Sequence, residues 1–186
     1  LIDPGEPPGF RVGADLARRR SVPEQRFLVA RAVALARARA ALASRLDAAE
    51  LAELLAAAVR LALPDYEGLG RPPEPRARAV ARALPRKIRK VLDEPAAAVA
   101  RRGTIDVAAW QVALGATADR LGLLLAGDVP AALGLVLREV AGPAPAASPA
   151  EVAALARTSP RLRELLLFAA SEEHLRLRQR LRVAIA

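Results

Sequence analysis

Apolar residues recur at three- and four-residue intervals along most of this chain, the spacing of a helix with one face turned inward. Ser21 and Glu24 make a capping box with Pro23 at an early helical position. Phe27, Leu28, Ala30, Val33, Ala34, Ala38 and Leu42 follow in register, so the pattern predicts a first long helix from about Pro23 to Ser44. Asp47 and Glu50 repeat the capping logic before Leu51, Leu54, Leu55, Val59 and Leu63, and that helix stops before Pro64. A Gly- and Pro-rich loop over 65–75 leads into a basic helix, Arg76–Leu92, which Pro85 should kink or divide. Thr104 reads as the N-cap of the next helix, with Val107, Trp110, Ala113, Leu114, Ala118, Leu121 and Leu125 as its core stripe. Asp128 with Pro130, Ser148 with Glu151, Pro160, and Ser171 with Glu172 and Glu173 open four further helices.

No strand-turn-strand signal and no internal repeat interrupts this pattern. The fold class expected is all-α, an irregular multi-helix bundle of about 7–9 helices. Residues 1–20, rich in Pro and Gly near their start, read as an extended lead-in. Residues 21–186 read as one helical domain with a Pro/Ala linker over 143–147. The chain begins at Leu1 and holds no methionine, so it is expected to be a piece of a longer polypeptide.

Composition sharpens the picture. Hydrophobic residues are 53% of the chain but aromatics only 3%. That balance favours close-packed alanine-rich helices over sheet. The absence of cysteine removes thiolate nucleophiles and cysteine-bound metal, and a single histidine, His174, excludes a multi-histidine zinc site. No apolar run is long enough to span a bilayer, Leu121–Leu137 being broken by Asp128 and Pro130; the domain is expected to be soluble and cytoplasmic.

Two segments resemble one family when taken together. Glu24-Gln25-Arg26-Phe27-Leu28-Val29-Ala30-Arg31-Ala32-Val33-Ala34-Leu35 is similar to the active-site helix of the HtpX-like and CAAX-processing zinc metallopeptidases, where E-x-R-F-x-x-G leads into H-E-x-x-H. The stretch from Trp110 to Asp128, with Ala118, Asp119, Arg120 and Gly122, resembles the later helix whose E-x-x-A-D-R-x-G supplies the third ligand. In that family two histidines one turn apart share a zinc ion, and the glutamate between them polarises the attacking water. The resemblance puts Arg31 and Leu35 at the histidine positions, Ala32 at the catalytic glutamate and Gly115 at the third ligand. An arginine repels a divalent cation, and the other three side chains offer no donor, so the resemblance implies no catalytic residue, no metal and no cofactor. It also suggests that Arg31 and Asp119 form a replacement polar pair where the metal would lie. The chain as a whole is similar to C-terminal regions of bacterial tetratricopeptide-repeat proteins, including the run from Leu165 to Glu173.

Charge adds a second candidate. The formal net charge is +9, and nine cations between Arg76 and Arg102 face only Asp93 and Glu94. Arg78, Arg82, Arg86 and Lys90, four residues apart, are expected to share one helix face able to contact phosphates or an acidic partner. That segment has no aromatic residue for base stacking and no groove-reading motif. Phe27, Trp110 and Phe168 read as core anchors, and no acid or nucleophile near His174 makes a triad. The function expected first is a non-catalytic interaction or scaffold domain with other protein chains as partners in a larger assembly. A basic module binding nucleic acid through Arg76–Arg102 comes second.

Overall fold

The computed structural model describes residues 2–3, 9–142 and 148–183. Its architecture is all-α, with eleven helices among the described residues, nine of them of seven residues or more. The linker expected over 143–147 lies outside the described residues. Contacts group the chain into two compact units: Leu1–Ala41 with Val112–Ala186, and Leu42–Gln111.

The first unit begins with a two-residue antiparallel pairing, β1 (Ile2–Asp3) with β2 (Gly9–Phe10), too short to leave an alternating signature in the sequence. A six-residue helix, α1 (Ala14–Arg19), then forms inside the stretch expected to be extended, with Asp15 bridging Arg19 one turn on. Helix α2 (Val22–Arg37) opens on the Ser21/Glu24 capping box but ends well short of the expected Ser44. Its stop is a left-handed Arg39 at φ 53°, after which the Ala40 amide donates back to the Leu35 carbonyl. Alanine periodicity ran on past that point because Ala40, Ala41 and Ala43 are buried without being helical.

Helix α7 (Val107–Ala126) starts in the second unit and runs into the first. It is followed in the first unit by α8 (Val129–Ala141), α9 (Pro149–Thr158), α10 (Pro160–Ala169) and α11 (Glu172–Arg180). Asp128, Ser148, Ser159 and Ser171 cap the last four through their side-chain oxygens. The core gathers Phe27 with Leu123, Leu124 and Ala126 of α7, Ala132, Leu135 and Val136 of α8, and Leu162, Leu165 and Phe168 of α10. Full burial of each large side chain here contributes about 1.5–3 kcal/mol relative to exposure.

In the second unit, α3 (Ala48–Arg60) begins on the Asp47/Glu50 capping box and buries Leu51, Ala56, Ala57 and Val59. It packs against α4 (Glu74–Ala83) and α6 (Asp93–Arg101), which buries Ala96. Arg76 of α4 reaches Glu53 of α3 at 3.3 Å. Between α4 and α6 the chain makes only the one-turn helix α5 (Arg86–Arg89). The cap that starts α7 is Asp106, whose Oδ1 accepts from the Ala109 amide at 2.9 Å, and not the expected Thr104.

Candidate functional site

Helices α2 and α7 meet closely because Gly122 has no side chain. A β-carbon there would sit 2.8 Å from Cδ2 of the fully buried Phe27 and 3.1 Å from Cγ of Arg31. One turn further along both helices, Arg31 Nε lies 2.8 Å from Oδ1 of Asp119, a carboxylate whose side chain is only 2% exposed. This Nε–H is not aligned for a hydrogen bond, so its contact with Asp119 is Coulombic. The Arg31 guanidinium also rests over the Phe27 ring, 5.6 Å from its centre, within the range of a cation–π contact.

Two residues that the sequence did not single out complete the arrangement. Arg161 of α10 grips Asp119 with a fork, Nε to Oδ2 at 2.6 Å and Nη2 to Oδ1 at 3.1 Å. Its Nη2 also donates to Oε2 of Glu139 on α8 at 2.7 Å, and Glu139 Oε1 accepts from Arg31 Nη1 at 2.9 Å. Two arginines and two carboxylates thus close into a neutral ring that joins four helices of the first unit. Asp119 is deep, whereas the side chains of Arg31, Arg161 and Glu139 are 21%, 30% and 39% exposed. Water therefore screens the outer edge of the ring.

Burial works against ionisation of Glu139, but Arg31 and Arg161 outweigh it and hold its carboxyl below the usual range. Burial likewise opposes the charge on Arg161, and Asp119 and Glu139 overcome it, so its proton is held more tightly than usual. Both charges therefore stay on, spent on their neighbours. Each carboxylate and guanidinium of the ring is held by partners of opposite charge.

The structure brings Arg31 and Asp119 together. The other positions drawn from the peptidase resemblance carry no polar atom toward them: Ala32 and Leu35 are half-buried apolar residues of α2, and no atom lies within 4 Å of a β-carbon built at Gly115. Among the described residues no group of three or more His, Cys, Asp or Glu side chains is arranged to hold a metal ion. Among the described residues α8 and α9 flank a groove of about 1470 Å³, with Leu133, Leu137, Val152 and Leu155 in its wall.

The expected basic stripe is divided. Arg78 and Arg82 belong to α4, which ends at Ala83, while Arg86 lies in α5 and Lys90 caps it. Leu84 is extended, with ψ at 115°, because the following Pro85 disfavours helical geometry in the residue before it. The four cations therefore do not share one helix face, and Arg78 is paired to Glu74 at 3.0 Å. Trp110 also departs from expectation: it is 46% exposed and anchors no core, whereas Phe27 and Phe168 do. Val107 and Ala118 of the expected stripe are buried, but the rest of the buried face of α7 runs through Asp119, Gly122, Leu123, Leu124 and Ala126. His174 is 7% exposed and stands edge-on to Phe168, with ring centres 5.3 Å apart. Burial, helped by the nearby Arg178, lowers its pKa from the ordinary imidazole value, and a hydrogen bond with the Ala169 backbone offsets part of this.

Among the described residues no helix is long and apolar enough to cross a membrane. Comparison with protein-family models, with curated proteins and with solved structures finds no match to this chain.

Proposed function

We propose that this chain is a non-catalytic protein-interaction or scaffold domain, a helical bundle similar to a zinc peptidase in which side-chain ion pairs stand where a metal would be held. The observation that carries the reading is Asp119, buried between Arg31 and Arg161 with Glu139 closing the ring. A cleft filled by mutually neutralised charges braces helices against one another and leaves no group free to work on a substrate. The groove between α8 and α9 offers apolar surface of the kind that partner chains cover.

Nucleic-acid binding through Arg76–Arg102 takes second place. Exposed cations favour it, but the break at Leu84–Pro85 removes the continuous basic face that would track a phosphate backbone.

Affinity capture of the protein with and without nuclease, read by mass spectrometry, tests the reading. Stoichiometric protein partners that survive nuclease are expected, and recovery of nuclease-sensitive material alone would overturn it in favour of the basic module. The peptidase-like frame has its own test in the combined variant Arg31→His, Ala32→Glu, Leu35→His and Gly115→Glu. This variant is expected to bind zinc stoichiometrically; a folded variant without zinc affinity removes the frame.

A further inference from the structure

The second unit carries a short segment whose chemistry the scaffold reading does not use. Every residue from Pro85 to Val91 is exposed, while Leu84 and Leu92 on either side are half-buried. The segment is a knuckle anchored at both ends, with α5 exposed on all sides. Its shape is held locally: Arg89 Nε donates to the Leu84 carbonyl at 2.9 Å, and the Ile88 and Arg89 amides donate to the Pro85 carbonyl. Two aliphatic side chains project from it into solvent, Ile88 at 43% and Val91 at 63% exposed. On the same segment are Arg86, Lys87, Arg89 and Lys90, and none of these four makes an ion pair among the described residues. The acids that follow, Asp93 and Glu94, lie in the first turn of α6, where they complement its helix dipole.

We propose that the Pro85–Val91 knuckle docks onto an anionic lipid surface, its four cations lying among the headgroups and Ile88 and Val91 entering the boundary with the acyl chains. Three observations select this occupant. Unpaired cations interleaved with exposed aliphatics match a surface that is anionic outside and apolar just beneath. A nucleic acid would use the cations but offers nothing to Ile88 and Val91, and the segment has no aromatic ring on which a base could stack. A stable protein interface buries about 800 Å² per partner with matched shape. The tip from Pro85 to Val91 has seven residues, against about 20–30 a side in such an interface, whereas lipids rearrange to fit a small tip. The inference is independent of which partner the first unit holds.

The test is flotation with phosphatidylcholine vesicles, with and without phosphatidylserine, beside a duplex RNA binding assay on the same samples. Binding to the serine-containing vesicles alone, weakening as salt rises, is the expected result. Substituting Arg86, Lys87 and Lys90 with Gln should lower vesicle partitioning on the order of a hundredfold. The Ile88→Ser, Val91→Ser variant should lower it about tenfold while leaving RNA binding unchanged, since the lost contribution is apolar. All five positions are exposed and the Arg89 contact with the Leu84 carbonyl is kept, so circular dichroism should report an unaltered fold. The proposal is overturned if serine-containing vesicles are not bound, or if the Ile88/Val91 variant binds them as well as the parent. Tighter binding to RNA than to vesicles would also overturn it and assign the cations to nucleic acid.

Discussion

Two glycines of the same helix show how one absent side chain serves opposite ends. Gly115 and Gly122 both lie within α7, where glycine costs about 0.5–1 kcal/mol relative to alanine. At Gly115 nothing occupies the space a β-carbon would take, so Gly115→Ala should stabilise the protein by about that amount in urea unfolding. At Gly122 the same atom meets the Phe27 ring at 2.8 Å, and Phe27 is wholly buried and has nowhere to move. Gly122→Ala should therefore destabilise by about 1–3 kcal/mol, as overpacking does. His174 gives a residue-scale prediction in pH. Its folded pKa is lowered, so below about 6.5 the unfolded chain binds a proton that the folded chain refuses, and stability present above that pH falls as pH drops. The slope should be at most about 1.4 kcal/mol per pH unit and should vanish in His174→Leu. Glu24 and Glu139, whose pKa values are also lowered, act in a separate window: their stabilisation is present above the ordinary carboxylate range and is lost below it.

Element starts marked by a capping box were legible in the sequence, while the start of α7, the short helices α1 and α6, and element ends and faces were less so, for a physical reason. An N-cap is local chemistry, an oxygen three residues from the amide it satisfies, and Ser21, Asp47 and Ser148 all form the boxes their neighbours Glu24, Glu50 and Glu151 announce. The end of α2 rests on Arg39 in the left-handed region, where the common glycine signal is missing, so the alanine run concealed the stop. Arg39 is exposed. Arg39→Gly should relieve its backbone strain, raising stability by up to about 1 kcal/mol in thermal unfolding, less what glycine adds to the unfolded chain's entropy. The face of α7 was read only in part: Val107 and Ala118 are buried, but apolar residues lie on most sides of the helix and leave no single stripe to read. Pro85, by contrast, announced the division of the basic segment, yet the four-residue repeat of its cations suggested a face that the division removes.

At the scale of the first unit the ion-pair ring joins positions far apart in sequence, and this distance decides what could be foreseen. Arg31 and Asp119 were paired in advance by their likeness to two family motifs, but Glu139 and Arg161 belong to no motif, and only the packing of α8 and α10 brings them in. A ring whose inner member is buried and whose outer members are wet should be costly to break and cheap to replace. Asp119→Ala leaves two arginines sharing Glu139 beside an apolar core, and loss of one partner from such a site costs about 3–5 kcal/mol when fully buried. Exposure of Arg31 and Arg161 lets water compensate, so the lower end of that range is expected in denaturant unfolding. Replacing all four members with apolar residues of similar volume removes the desolvation cost together with the attraction, and should leave stability within about 1–2 kcal/mol of the parent. If both variants lose equally, the ring is a source of net stability and α2, α7, α8 and α10 depend on it. If only Asp119→Ala loses, the four charges serve to fix how these helices pack, which a scaffold that presents a defined surface to its partner requires.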